Sequence, residues 1–295
     1  MTTAVSRREV KRERVDFPRR LTVEVSGSCN LQCVMCPRQL VEKVSGLMDI
    51  DLYGKVITEA RNYVPVTLVP FFRGEPLLHP NLLEMIKMAK EARLGPIQLT
   101  TNAMLLEREI SEELVAMGLD FISFSLDMLD KEAYEATRVG GEYERVMENI
   151  ETFLKVRARA AGRTNTPEVQ VSAVETEENR ESMDDFINYW GKRVDRVRIY
   201  PAHSAGGALG SLKKGENLIH FDKRLPCEKL FNDMVICWNG DVAVCNHDWE
   251  RKEFIGNIGS ATIHEVWTGE KYNELRRRHD EGKVENDPTC SGCDH

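Results

Sequence analysis

Features typical of membrane, secreted and nucleic-acid-binding proteins are missing from this sequence. No apolar run approaches the ~20 residues that a bilayer-spanning helix needs, and no apolar stretch follows the basic N-terminal segment, as it would in a secretory signal. We therefore expect a cytoplasmic protein without a membrane partner. The formal net charge of −8 also argues against a nucleic-acid partner, because binding a phosphate backbone needs a basic face.

Cysteine is absent from residues 37–226, so all eight cysteines are confined to the two ends of the chain. In a cytoplasmic protein, where thiols are kept reduced, this distribution favours metal binding over disulfides. The two groups are Cys29, Cys33 and Cys36, and Cys227, Cys237, Cys245, Cys290 and Cys293. Two separate metal centres are therefore predicted.

Short β-rich runs alternate with amphipathic stretches between residues 21 and 203. Helices are predicted at 81–92 and 144–157, and six strands are predicted at 21–25, 66–71, 96–100, 121–125, 168–174 and 196–200. The alternation implies βαβ units and a parallel sheet. Six units are too few for a closed eight-stranded barrel, which leaves an α/β fold with a partial (β/α)6 TIM-like barrel or an open sheet. In both folds reactive groups belong at the C-terminal ends of the strands.

A small α+β domain is predicted at the C-terminus, after a linker that is indicated by its glycine-rich composition. The Asn239-Gly240 pair predicts a two-residue hairpin turn within 230–245, and a helix is predicted at 263–279. The proposed segments are a basic leader at 1–20, the α/β domain at 21–203, the linker at 204–226 and the C-terminal domain at 227–295.

The first cysteine group has the spacing Cys-x3-Cys-x2-Cys directly after the first predicted strand. Three thiolates hold three irons of a [4Fe–4S] cubane and leave the fourth iron open to a small ligand, whereas these clusters normally take four cysteines. The alternative is a structural zinc site completed by a distant residue. Zinc sites usually contain paired Cys-x2-Cys or Cys/His groups, and no partner pair lies nearby.

The segments CNLQCVMC, FFRGEP, TTNA and SLD, each at the end of a successive predicted strand, resemble the radical S-adenosylmethionine (SAM) superfamily. The resemblance covers nearly the whole chain. It implies that Cys29, Cys33 and Cys36 bind a [4Fe–4S] cluster whose open iron binds SAM. It also implies that a 5′-deoxyadenosyl radical derived from SAM abstracts hydrogen from the substrate.

The same resemblance implies the SAM contacts. Gly74, Glu75 and Pro76 match the motif that binds the SAM amino group, and Ser125 is the candidate for the ribose. The remaining implied contacts are Asn102, Asp127, Val174 and Tyr200. Two positions depart from the family pattern: Arg73 replaces a glycine and brings a group able to meet a carboxylate, and Met35 replaces an aromatic residue.

The C-terminal cysteines resemble the SPASM domain of this superfamily, in its shorter form called twitch. Cys227, Cys245, Cys290 and Cys293 match its ligands, and Gly240 matches its glycine. The resemblance implies one auxiliary [4Fe–4S] cluster, and zinc held by the same four thiolates is the alternative. A fully ligated cubane is expected to pass electrons or shape the pocket rather than bind substrate.

Cys237 remains unassigned after both clusters are accounted for. Twitch-type epimerases use such a cysteine as a hydrogen-atom donor, which makes Cys237 a candidate catalytic residue; the alternative is a small buried residue in a strand. With a two-residue turn, Cys237 is expected to pair with Val242 and to face away from Cys245.

The resemblance to twitch dehydrogenases and epimerases implies a small polar substrate of the sugar or aminocyclitol type, with a peptide as the alternative. Only 28 residues precede Cys29, whereas peptide-modifying relatives usually carry a leader-binding domain there. Loss of an electron to the auxiliary cluster and of a proton to a base gives dehydrogenation, and hydrogen return from Cys237 gives epimerisation. Candidate bases are Glu175, His247 and Asp248.

An electron donor such as flavodoxin or ferredoxin is expected as a partner. A non-catalytic iron–sulfur or zinc protein would explain the cysteines but not the ordered GEP, TNA and SLD segments.

Overall fold

The computed structural model describes residues 15–39, 45–162, 167–201, 226–291 and 293. Most of the predicted leader and nearly all of the predicted linker lie outside these ranges, so the division at 204–226 stays a prediction. Within the described ranges, no helix combines the length and apolar character that crossing a membrane requires.

Six strands occupy the predicted positions and run parallel. Strand β1 pairs with β2, and β3 to β6 pair in sequence order, while a parallel bridge between Leu68 and Ile97 connects β2 to β3. Their bounds are β1 Arg20–Val23, β2 Thr67–Val69, β3 Gln98–Thr101, β4 Phe121–Ser125, β5 Glu168–Glu175 and β6 Arg196–Pro201. The predicted α/β class with a parallel sheet is therefore confirmed.

Amphipathic helices cover the sheet because each buries one apolar stripe. In the second helix, for example, Leu82, Met85, Ile86 and Ala89 are all buried at helical spacing. Phe124 of β4 meets Phe153 edge to face, with ring centroids 5.4 Å apart. The helices between strands are α1 Ile50–Ala60, α2 Leu82–Glu91, α3 Arg108–Ala116, α4 Lys131–Thr137, α5 Tyr143–Ala160 and α6 Met183–Trp190.

The C-terminal elements extend the same sheet beyond β1. Strand β7 (Asp233–Ile236) pairs with β1 in parallel, with Arg20 opposite Asp233 and Thr22 opposite Val235. Strand β8 (Asp241–Ala243) is antiparallel to β7, and β9 (Gly256–Asn257) is antiparallel to β8. The strand order β9-β8-β7-β1-β2 joins both ends of the chain in one sheet.

Three short helices complete this part: α7 Lys229–Asn232, α8 Ile263–Thr268 and α9 Glu270–Asp280. The prediction of one continuous helix at 263–279 is wrong, because Gly269 takes an extended conformation (φ −68°, ψ 167°) that ends α8 and begins α9. Thr262 and Glu265 form a capping box at the start of α8.

The hairpin register also differs from the prediction. Cys237 N donates to Asp241 O at 2.8 Å, and Ile236 opposes Val242, so the loop has three residues and Cys237 does not pair with Val242. Gly240 closes the longer loop with φ +86°, a conformation that glycine adopts readily. Because side chains alternate along a strand, Cys237 shares the face of Val235 and packs with it, Phe72 and Ala243.

Candidate functional site

A cavity of about 780 Å³ opens between the strand ends and the C-terminal hairpin, a size typical of small-molecule sites. Its lining includes Cys29, Cys33 and Cys36 of the first cysteine group and Cys245 and His247 of the C-terminal part. Of the predicted SAM contacts, the cavity is lined by Gly74, Glu75, Asn102, Ser125, Val174 and Tyr200. Pro76, Asp127 and Cys237 are not among the described lining residues, nor are Cys227, Cys290 and Cys293.

The loop that carries the first three cysteines is anchored by main-chain hydrogen bonds. Gln32 N donates to Val139 O at 2.8 Å and Val34 N to Thr137 O at 2.9 Å. Burial raises the pKa of each of the three thiols, which favours their protonated form unless a bound cation stabilises the thiolates. Three thiols facing one cavity from a single fixed loop fit a cubane with one open iron.

Gly74 lies against this loop so closely that no side chain fits. A Cβ at this position would overlap the carbonyl oxygens of Ser26 and Ser28. The next residue continues the contact, since Glu75 N donates to Ser28 O at 2.8 Å. The glycine of the motif therefore sets the distance between the β2 end and the cysteine loop.

The carboxylate of Glu75 joins the ends of β2 and β3. It accepts hydrogen bonds from Thr101 Oγ1 at 2.7 Å, Asn102 N at 2.8 Å and Leu77 N at 3.1 Å. Burial raises the pKa of Glu75 to about 7, although these donors favour the anion. Glu75 thereby fixes Asn102, whose Nδ2 lies 2.9 Å from Asn30 Oδ1 and 3.9 Å from Cys29 Sγ.

Asp127 acts through a neighbouring arginine that belongs to no recognisable sequence motif. It accepts from Arg138 Nε at 2.8 Å and from Val174 N at 2.8 Å, and it is buried in a left-handed conformation with φ +72°. The guanidinium of Arg138 lines the cavity and lies 3.9 Å from Cys33 Sγ. In the sequence this arginine looks like any charged residue at a helix end, so no local signal marked it.

The four predicted ligands of the second centre come from three places in the chain: Cys227, Cys245, and the turn that carries Cys290 and Cys293. Asp287 Oδ1 accepts from Cys290 N at 2.7 Å and holds the turn in which Cys293 N donates to Cys290 O at 3.2 Å. Cys227 N donates to His279 Nδ1 at 3.3 Å. Burial and the neighbouring thiols Cys227 and Cys293 raise the pKa of Cys245 to about 12. As a donor set, these four thiols match the ligands of a fully ligated cubane.

Cys237 lies in the wall behind the cavity surface. Its side chain is fully buried, and Arg73 Nη2 lies 3.6 Å from its sulfur. Burial raises the pKa of the thiol to about 12. Directly after the end of β7, Cys237 is thus a packed residue with Arg73 as its polar neighbour.

The three candidate bases lie in different surroundings. His247 lines the cavity. Asp248 instead caps its own loop, accepting from Val244 N at 3.1 Å and Lys252 N at 3.2 Å. Glu175 pairs with Arg180 at 2.9 Å.

Two family models match the chain. The radical SAM superfamily model matches residues 23–188, and the model of the SPASM iron–sulfur cluster-binding domain matches residues 227–294. The matched regions carry the first and second cysteine groups respectively.

Curated relatives cover the chain to different extents. A protein of Pyrococcus furiosus named as a tungsten-containing aldehyde ferredoxin oxidoreductase cofactor-modifying protein is 25% identical over 87% of this chain and 82% of its own length. A probable GTP 3′,8-cyclase of Methanococcus maripaludis is 34% identical over 47% of this chain and 46% of its own length. The match to this cyclase thus spans about half of each protein.

Solved structures share the fold. BtrN in complex with AdoMet and 2-DOIA has a TM-score of 0.64 and 21% identity, covering 94% of this chain and 93% of BtrN. Streptococcus suis SuiB bound to precursor peptide SuiA has a TM-score of 0.72 and 17% identity, covering 89% and 67%. At these identities the likeness establishes the fold alone.

Proposed function

Because the chain belongs to the radical SAM superfamily and carries a SPASM domain, we propose that it removes two electrons and two hydrogens from a small polar substrate. Family membership confirms that the protein is a radical SAM enzyme with SAM, a SAM-binding [4Fe–4S] cluster and an auxiliary iron–sulfur cluster as cofactors. The reaction and the substrate class, a sugar or aminocyclitol, are the parts proposed here.

When bound, the first cluster and SAM supply a 5′-deoxyadenosyl radical that takes a hydrogen atom from a substrate carbon. The residues of the chain position these groups. The loop of Cys29, Cys33 and Cys36 holds the cluster, Glu75 fixes the β3 end beside it, and Arg138 adds a positive charge next to Cys33. The lining also includes apolar side chains, among them Val69 and Leu31.

One observation carries the proposal: a single cavity is lined both by the three cysteines of the first centre and by Cys245 of the second. A substrate bound there would lie near Cys29, Cys33 and Cys36 and also near Cys245. If an auxiliary cluster is held by Cys245 and its partner cysteines, it would supply an acceptor for the second electron of an alcohol oxidation, while a base takes the hydroxyl proton and a ketone is left. His247 is the proposed acceptor, since it lines this wall of the cavity.

Epimerisation is less well supported because it needs a hydrogen donor at the substrate. Cys237 is fully buried and contacts the guanidinium of Arg73 rather than the cavity. A thiol in that place cannot reach a substrate carbon unless the wall moves. Dehydrogenation requires no such movement.

The dimensions of the cavity support a small substrate. The volume of about 780 Å³ lies in the range of sites for small molecules. BtrN, which shares the fold over nearly its full length, was solved with AdoMet and 2-DOIA together. A flavodoxin or ferredoxin is the proposed electron donor for the first cluster.

The test is anaerobic reconstitution followed by SAM, a strong reductant and a panel of aminocyclitols, sugars and short peptides. We expect 5′-deoxyadenosine and a carbonyl product in equal amounts with one of the first two classes. Cys33→Ala should abolish both products, and Cys290→Ala should retain deoxyadenosine while losing the carbonyl. If only the peptides are converted, the proposed substrate class is wrong and the substrate is a peptide.

The same reactions in deuterated solvent distinguish dehydrogenation from epimerisation. In a dehydrogenation, Cys237→Ala retains product formation and no solvent deuterium enters an unoxidised substrate carbon. Deuterium incorporation with inversion, abolished by Cys237→Ala, would establish epimerisation and refute the dehydrogenase proposal.

A further inference from the structure

Arg73, which departs from the family motif, forms a buried ion pair with Glu24. Arg73 Nε lies 2.7 Å from Glu24 Oε1, and Arg73 Nη2 lies 2.7 Å from Glu24 Oε2. The two side chains are 6% and 0% exposed. Glu24 directly follows β1, and Arg73 directly precedes the Gly74-Glu75 motif, so the pair lies between the two strand ends that form the SAM site.

The remaining donors and acceptors of this pair reach the C-terminal domain. Arg73 Nη1 donates to Trp249 O at 3.1 Å, and Arg73 Nη2 lies 3.6 Å from Cys237 Sγ. Glu24 Oε2 also accepts from Trp238 N at 3.3 Å. Phe72 adds a ring contact to Trp249, with centroids 5.8 Å apart. The pair therefore joins both SAM-site strands to the hairpin turn and to the segment after Cys245.

The segment 245–249, here the auxiliary loop, transmits this contact to a cluster ligand. The carboxylate of Asp248 connects the residues that flank this loop, because it accepts hydrogen bonds from Val244 N before it and Lys252 N after it. Asp248 N also donates to Cys245 O at 3.1 Å. A displacement of Trp249 thus moves Cys245, because little freedom remains between them.

Stability alone does not account for an ion pair in this place. Moving two charges out of water costs several kcal/mol per ion, roughly, and a well-packed apolar pair is often as stable. An apolar pair makes no directional contacts. A guanidinium holds its N–H groups in a fixed plane, and Arg73 contacts three partners with them: Glu24, Trp249 O and Cys237. Lysine has no such plane of N–H groups.

We propose that Arg73 is a positioning residue that fixes the auxiliary loop, and with it the auxiliary cluster, relative to the SAM site. Glu24 orients the guanidinium, and the bond to Trp249 O sets the position of the loop. The inference needs the two clusters but not the dehydrogenation proposed above, so either can fail without the other.

The experiment compares Glu24→Met/Arg73→Met and Arg73→Lys with Lys90→Met, which removes a partly buried ion pair to Asp120 within the N-terminal α/β core. Each change is made in wild-type protein and in a Cys33→Ala background that isolates the auxiliary cluster. After anaerobic reconstitution, EPR spectra are recorded with and without SAM. The midpoint potential of the auxiliary cluster and the thermal unfolding midpoint are measured as well.

In both Arg73 variants we expect a broadened auxiliary EPR signal and a midpoint potential displaced from wild type. The SAM-induced change at the first cluster should persist, and Lys90→Met should match wild type in both signals. Loss of the auxiliary cluster alone in Arg73→Lys also supports the proposal.

An unchanged auxiliary signal and potential in both Arg73 variants would overturn it. Equal loss of both clusters in Arg73→Lys would likewise overturn it and assign the pair to folding. If Glu24→Met/Arg73→Met does not fold, Arg73→Lys decides by the same criteria.

Discussion

The carboxylate of Asp127 holds the guanidinium of Arg138 with an Oδ2 to Nη2 distance of 2.7 Å and an Oδ2 to Nε distance of 2.8 Å. Both side chains are buried, and the far side of the guanidinium reaches Cys33 Sγ at 3.9 Å. A residue that does not line the cavity thus places a positive charge inside it. The cluster loop depends on this pair as well as on its own cysteines.

Asp127→Asn should weaken both stability and SAM binding. Asparagine tolerates the positive φ and retains an acceptor for Val174 N, but it leaves a buried cation unpaired, which costs about 3 kcal/mol or more. Chemical unfolding and SAM titration of the reconstituted protein measure the two effects. Asp130→Asn, which changes an exposed helix cap, is the control and should leave SAM affinity at the wild-type value.

Gly74→Ala should prevent assembly of the first centre. The new Cβ would overlap two backbone carbonyl oxygens, of Ser26 and Ser28, and backbone cannot move aside as a flexible side chain can. A cost of about 1–3 kcal/mol is expected, with loss of the SAM-induced EPR change. Gly54→Ala is the matched control: its Cβ has 3.4 Å to Met88 Cε in mid-helix, so it should stabilise by up to ~1 kcal/mol. Normal cluster loading in Gly74→Ala would contradict the close approach.

The raised pKa of Glu75 predicts a pH dependence of folding. Its pKa rises from 4.5 to about 7 on burial, so the folded chain keeps a proton that the unfolded chain releases. The contribution to the free energy of unfolding is complete below the unfolded value and is lost as the pH rises through about 7, at up to about 1.4 kcal/mol per pH unit.

Denaturant unfolding from about pH 5.5 to 8, compared with Glu75→Gln, isolates this contribution by difference. Gln lacks the titration, so the gap between the two proteins should shrink as the pH rises. A gap that widens with pH would show that the carboxylate is stabilised as the anion instead.

Glu59 should stabilise the docking of the C-terminal domain. Its carboxylate accepts from Ile263 N at 2.7 Å and His264 N at 2.8 Å, and it thereby caps α8 from across the domain boundary. Glu59→Ala should cost about 1–2 kcal/mol. Hydrogen exchange should increase in residues 258–268 and not in β4 or β5. The exposed Glu113→Ala is the control; equal exchange in both variants would refute the docking role.

Much of the α/β core was predictable because its signals are local. Each strand is a short β-rich run, and the helices carry apolar stripes at helical spacing, as Val146, Ile150 and Phe153 do in α5. The cysteine spacing needs only a few residues to be recognised. The family matches confirmed the cofactors that this spacing implies.

The remaining features depend on contacts between distant parts of the chain. The Asn239-Gly240 pair indicated a hairpin, but the third loop residue depends on how Gly240 meets Asn257 and Gly259, and this shifted the register of Cys237. No local sequence pattern predicts the roles of Arg138 and Glu24, because a buried ion pair can be recognised only when the positions of both residues in the fold are known. The same holds for the proposed role of Arg73.

The parallel pairing of β1 with β7 has a consequence for folding during synthesis. Arg20 pairs with Asp233, which leaves the ribosome more than two hundred residues later. The edge of β1 that pairs with β7 is therefore unpaired throughout that interval. Contacts of such sequence separation close late and slowly, and an open apolar edge is a site for aggregation. Expression yield should therefore respond to chaperone supply and translation rate, even where the finished protein is stable.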